Sequence, residues 1–278
     1  MVIGYSITAD KELITPFADS ISRSNPNRAF FTGGIPMQKL SYSTNSVPGG
    51  TETSKDCPVF RAKDPISSLT HFIGFLMAIV ATPLLLIHGA FGGAPLRALI
   101  SMGVFMLSMI LLYGASASYH AFNLDEVRNH RLKCLDHMSI FVLIAGSYTP
   151  VCLIAIPGKA GTRLLIAVWI VAALGMLFKF FWVTCPKWVS SVMYIGMGWL
   201  CISVLPTIYA NLSSAGFLWL LAGGLFYTVG GVIYALKLKI IPANSIGFGN
   251  HELFHLFVMA GSFCHYMLAY LVLCPMAV

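Results

Sequence analysis

From residue 65 to its end the chain is a succession of long apolar runs separated by short polar breaks. The runs read as 69–87, 99–120, 138–156, 164–183, 189–210, 217–236 and 253–273. Each is close to the roughly 20 residues that carry a helix across about 30 Å of hydrocarbon. The runs lack the apolar–polar alternation of a barrel strand, so helices are the remaining way to satisfy backbone hydrogen bonds in lipid. The pattern predicts an all-α fold: a polytopic membrane protein whose residues 65–278 form a bundle of seven transmembrane helices. Residues 1–64 have another texture, rich in Ser, Thr, Asn, Pro and Gly, with charges of both signs and no apolar run of signal-peptide length. They read as a disordered or surface-associated cytoplasmic tail, in which Phe30, Phe31 and the stretch 35–40 can touch a bilayer surface.

Composition agrees. The chain is 57% hydrophobic and 10% charged, against about 45–50% and about 25% in a soluble domain, which excludes a soluble globule. A formal charge of +7 would suggest nucleic acid in a soluble protein. Here the basic residues sit between apolar runs, so they report topology and no nucleic-acid partner is expected. Lys55, Arg61, Lys63, Arg128, Arg131, Lys133, Lys179, Lys187, Lys237 and Lys239 fall on one side, against Arg97, Lys159 and Arg163 on the other. Positive flanks resist translocation, so the N-terminus is expected in the cytoplasm and the C-terminus outside, in a multi-pass protein of the cell membrane. The seven cysteines form no CxxC pair and lie mostly within apolar runs, where cysteine behaves as a small hydrophobe. Gly223, Gly224, Gly230 and Gly231 suggest close helix packing. Pro83, Pro150 and Pro206 predict kinks.

Ionisable residues at helix depth are expensive unless partnered or functional. Beyond residue 65 the acids are Asp125, Glu126, Asp136 and Glu252. His251 and His255 are four apart in the run His251-Glu252-Leu253-Phe254-His255, which on a helix aims both imidazoles the same way, as in zinc-binding helices. The same string matches a metalloprotease pattern with Glu252 as base. Its position at the start of a membrane run argues against that reading. His120 closes the second run, so all three histidines reach one membrane face. Ser116 lies one turn before His120, and Asp136 opens the third run at the same boundary. His88 and His130 read as interfacial or loop residues, and His71 and His265 as interhelical hydrogen-bonding residues. His137 is expected to point away from Asp136, because adjacent residues do not share a helix face.

These residues resemble the hemolysin III family, which belongs with the progestin and adiponectin receptors in a superfamily that includes alkaline ceramidases. The resemblance rests on Ser116-Ala-Ser-Tyr-His120, on Asp136-His137 followed by Ala145-Gly-Ser-Tyr-Thr-Pro150, and on His251-Glu-Leu-Phe-His255. The segment Asp64-Pro-Ile-Ser67-Ser68-Leu-Thr70-His71 looks like the family's opening motif. The resemblance implies a seven-helix bundle with a cytoplasmic N-terminus and a zinc ion held by His120, His251 and His255. It also implies that Asp136 holds the zinc-bound water, with Ser116 close to the site. Two departures are visible: Ser67 stands where many bacterial members have Asn, and the polar tail is longer than the usual bacterial start.

Three imidazoles leave zinc an open position of the catalytic kind, at which a water's pKa falls to about 7 and a carbonyl is polarised. Asp136 is the expected base, and Ser116 the expected partner of an oxyanion. The expected function is therefore a zinc-dependent intramembrane amidase or esterase, its substrate a membrane lipid entering from the bilayer, that influences membrane lipid homeostasis. One alternative is a lipid-sensing, receptor-like regulator with a structural zinc near the cytoplasmic face. The other is a pore-forming hemolysin, which seven long apolar runs without a polar stripe disfavour. The sequence specifies no oligomeric state.

Overall fold

A computed structural model describes residues 62–156, 158–236, 240 and 248–277. It contains seven helices long and apolar enough to cross a membrane: α1 Pro65–Phe91, α2 Leu96–Ala121, α3 Glu126–Ala155, α4 Gly158–Phe181, α5 Lys187–Asn211, α6 Ser214–Leu236 and α7 Asn250–Met276. The expected N-terminal tail lies outside the described residues except for its last three positions, as do the flanking Lys237 and Lys239. α2 packs on both α1 and α3, α3 on α4, α5 on α6, and α7 on α6 and α1. Their outer surfaces expose Val80, Leu107, Phe180, Phe181 and Leu218, an apolar area that suits lipid. Phe105, Met106, Phe141, Leu85 and Leu268 fill the space between helices.

Local chemistry sets the ends of the helices. Pro65 opens α1 at a position whose N–H would lack a partner anyway. Gly93, at φ 89°, makes the left-handed turn between α1 and α2. Asp125 caps α3 by accepting the Arg128 N–H at 3.0 Å, and Glu126 adds negative charge to its first turn. This cap starts α3 twelve residues before the expected 138. The polar turns around Arg128 and Lys133 continue the helix beyond its apolar part, so Asp136 lies three turns inside α3 instead of opening it. After Pro150, residues Val151–Ala155 widen into a π turn.

α5 breaks in mid-span. Its α-helix stops at Gly198, a tighter 3-10 turn covers Trp199–Val204, and α-helix resumes at Leu205–Asn211 with Pro206 in its first turn. Freed backbone groups at such depth need a donor from elsewhere, and Tyr148 of α3 supplies it. Its hydroxyl faces the carbonyls of Met197, at 3.3 Å, and Gly198, and accepts the Cys201 N–H at 3.0 Å.

The α6–α7 contact depends on missing side chains. A Cβ on Gly223 would lie 2.8 Å from Nε2 of His265, and one on Gly230 would lie 2.8 Å from Cβ of Phe257. Gly231 packs against Ile195 of α5, and Gly224 meets nothing within 4 Å, so three of the four expected packing glycines have neighbours.

Candidate metal centre

The end of α2 meets the beginnings of α1 and α7. Lys63 and Asp64 donate backbone N–H groups to the carbonyls of Ala121, at 3.2 Å, and His120, at 2.8 Å, giving the orphan C-terminal carbonyls of α2 their partners. That seam fixes His120, on the last turn of α2, opposite His251 and His255 on the first two turns of α7. Nε2 of His120 and Nε2 of His251 are 3.1 Å apart. One nitrogen from each of the three histidines lies within 4.8 Å of the others. Tetrahedral ligands at zinc–nitrogen bonds of roughly 2.0–2.1 Å stand about 3.3 Å apart, so this buried group can hold a metal ion.

Hydrogen bonds to the far side of two rings assign their tautomers. Asp64 Oδ2 lies 2.9 Å from Nδ1 of His120. A carboxylate only accepts, so Nδ1 carries the proton and Nε2 presents its lone pair. For His255 the partner is Thr70, whose Oγ1 donates to the Ser67 carbonyl at 2.9 Å and lies 3.2 Å from Nδ1 of His255. With its single proton committed, the hydroxyl accepts from Nδ1–H, and His255 too offers Nε2. These are the outer contacts that orient histidine ligands at metal sites.

Glu252, between the two α7 histidines, is engaged elsewhere. Its Oε2 accepts the Gly249 N–H at 2.8 Å, capping α7, and its Oε1 accepts the Ser67 hydroxyl. Both carboxylate oxygens serve structure, which argues against Glu252 as a protease base.

Asp136 and Ser116 are buried and line the same cavity as His251 and His255. Ser116 and His137 both interact with the Asp136 carboxylate. The contact with His137 corrects an expectation. Nδ1 of His137 lies 3.3 Å from Asp136 Oδ2 and 3.0 Å from the Lys133 carbonyl. The cavity encloses about 180 Å³ and reaches from Asp136 and His251 to Leu164, Ile208 and Phe217, which lie toward the opposite ends of their helices. Its walls are mostly apolar side chains such as Leu143, Ile144, Leu220 and Val258.

Two more histidines depart from expectation. Among the described residues, neither ring nitrogen of His71 has a hydrogen-bond partner, nor does Nδ1 of His265. His71 stacks flat on His255, ring centres 3.6 Å apart, and His265 stacks on Tyr227 at 5.4 Å. Nearer the surface, Lys63 Nζ sits 3.5 Å above the Tyr119 ring. Burial lowers its pKa below the usual lysine value, against the opposing pull of Asp64 and Asp136.

Sequence reading missed Asp64, Ser67 and Thr70 as supports, although their segment carried a family motif. Their spacing held the signal: 64, 67 and 70–71 fall on one helix face. In the structure that face meets His120, Glu252 and His255 in turn.

Comparison with known proteins agrees with this geometry. Residues 60–266 match the family model described as Haemolysin-III related. The chain is 36% identical to "Hemolysin-3" of Bacillus cereus over 76% of its own length and 92% of that protein. It is 38% identical to "Hemolysin-3 homolog" of Bacillus subtilis (strain 168) over 73% of its length and 92% of that relative. A more distant relative is "Adiponectin receptor protein" of Drosophila melanogaster, 25% identical over 75% of this chain and 50% of that one. No solved structure matches the chain significantly. The matched span takes in the α1 face, Ser116, His120, Asp136, His251 and His255, and the chain belongs to the haemolysin III family.

Proposed function

We propose that the protein is a zinc-dependent lipid hydrolase of the membrane, cleaving an amide or ester that enters the bundle from the bilayer. The observation that carries this reading is the convergence of His120, His251 and His255 beside an apolar cavity that also presents the carboxylate of Asp136. Zinc, when bound, would supply a water of pKa about 7 and a polarised carbonyl. Asp136, buried with Ser116 and His137 on its carboxylate, accepts the proton released as the nucleophile attacks. Once Asp136 has taken that proton it no longer holds the Ser116 hydroxyl as an acceptor, and Ser116 is free to donate to the developing oxyanion. The apolar cavity holds the acyl chain and excludes bulk water. The positive flanks support an N-terminus, and with it a metal centre, at the cytoplasmic face of the cell membrane. Hydrolysis there would alter membrane lipid composition.

A second reading has one observation in its favour. The histidine group ties α2 to α7, and Asp64 and Thr70 tie α1 to the same point. A metal there would clamp three helices of a lipid-sensing protein, in keeping with the distant relative named as a receptor. A pore is the weakest reading, since the cavity walls are mostly apolar.

The test is metal content in detergent-purified wild type beside the double variant His251→Ala/His255→Ala, followed by hydrolysis of amide and ester lipids by wild type and Asp136→Asn. One zinc per chain, lost in the double variant, with turnover abolished in Asp136→Asn that keeps its zinc, is the expected result. Zinc without hydrolysis of any lipid, joined to a large loss of thermal stability in the double variant, would replace the hydrolase with the structural clamp. Folded wild type that takes up no zinc would end both.

A further inference from the structure

Lys179 sits at the last turn of α4 with its side chain wholly buried. Lysines at the ends of membrane helices ordinarily extend their ammonium to water. This one turns inward, and among the described residues no carboxylate pairs with it. Its Nζ lies 2.6 Å from Ser190 Oγ and 3.1 Å from Cys185 Sγ, and the Cys185 sulfur is 3.4 Å from the same Ser190 oxygen. The three groups come from the end of α4, the connecting segment and the first turn of α5. All three are buried, and Cys185 is a free thiol. The cluster shares no residue with the histidine centre and has no part in the proposed hydrolysis.

We propose that Lys179 and Cys185 are a modification site, forming a reversible nitrogen–sulfur cross-link when the thiol meets hydrogen peroxide. The thiol sulfur gives two electrons to the peroxide and becomes a sulfenic acid, with release of one water. Nζ of Lys179 then attacks that sulfur. The hydroxide leaves with the amine proton as a second water, and an S–N bond remains. A thiol reductant returns the two electrons and restores the free amine and thiol. Ser190 holds both reacting atoms, so the sulfenic acid is trapped by the amine before it meets more peroxide. The bond would tie the end of α4 to the segment that leads into α5, whose Ser191 and Tyr194 line the cavity.

Trypsin reads the bond directly. In the unmodified chain, cleavage after Arg163, Lys179 and Lys187 releases peptides 164–179 and 180–187. A cross-linked Lys179 is not cleaved. Full-length protein in liposomes is treated with hydrogen peroxide, alkylated, digested and analysed by mass spectrometry. The expected product is one peptide, 164–187, lacking two hydrogens relative to the uncleaved sequence; dithiothreitol restores those two hydrogens, and renewed trypsin then yields the two shorter peptides. In Lys179→Arg, Cys185 should proceed instead to the sulfinic acid. The proposal is overturned if wild-type Cys185 is recovered alkylated or as sulfinic acid with cleavage after Lys179 intact. It is equally overturned if Cys185 stays untouched while Cys201 is oxidised.

Discussion

The Thr70 hydroxyl gives its proton to the Ser67 carbonyl at 2.9 Å and offers its oxygen to Nδ1 of His255 at 3.2 Å. A hydroxyl one turn along α1 thereby decides which nitrogen of His255 faces the other histidines. Thr70→Val keeps the branched shape and deletes the acceptor. Metal affinity, measured by chelator competition, is expected to fall roughly 10–100-fold, the usual effect of losing an outer contact to a histidine ligand, while Thr70→Ser keeps it. Unchanged affinity in folded Thr70→Val would show that packing, and not this bond, orients His255.

Asp64 does the same for His120, and its carboxylate is 46% exposed at the side-chain level while the imidazole is 5% exposed. Asp64→Ala therefore opens no cavity in the core but frees the ring of His120 to rotate. Affinity should fall by a similar roughly 10–100-fold with little change in melting temperature. A large drop in melting temperature without loss of metal would mean that Asp64 serves the α1–α2 seam alone.

The predicted roles of Glu252 separate cleanly. If its carboxylate only caps α7 and holds Ser67, Glu252→Gln leaves lipid turnover within a few-fold of wild type, and Glu252→Ala costs about 0.5–2 kcal/mol of stability, as other lost caps do. A loss of turnover in Glu252→Gln comparable to that in Asp136→Asn would make Glu252 the base after all.

Hydropathy made the seven helices legible, since each span needs a long apolar run whatever it packs against. The three histidines were legible because their depth in two runs, the second and the seventh, could be compared. What a run cannot show is which neighbour it faces. The outer supports Asp64 and Thr70 act on residues 56 and 185 positions away, and nothing within α1 names α2 or α7 as the partner. The start of α3 was misplaced for a related reason: its first turns project beyond the apolar region, and only the Asp125 cap marks them. His71 and His265 looked like hydrogen-bonding residues because buried polar groups usually are, yet both stack on a neighbouring aromatic ring, His255 and Tyr227 respectively. Pro206 announced the break in α5, but the group that makes it tolerable belongs to α3 and was hidden.

That group gives the last prediction. Tyr148 is 8% exposed, and its hydroxyl serves the Cys201 N–H and the carbonyls of Met197 and Gly198. Tyr148→Phe keeps the ring and its packing but leaves these backbone groups at mid-span, where no bulk water replaces the lost oxygen. Each buried polar group left unsatisfied costs about 1–3 kcal/mol, and a change of 1 kcal/mol shifts the melting temperature of a chain this size by roughly 2–4 °C. The expected outcome is a melting temperature lower by several degrees in detergent, with faster amide exchange confined to residues 197–201. Exchange that rises uniformly through the bundle would point to general loosening, and unchanged exchange would mean that the α5 break is self-sufficient and does not need α3.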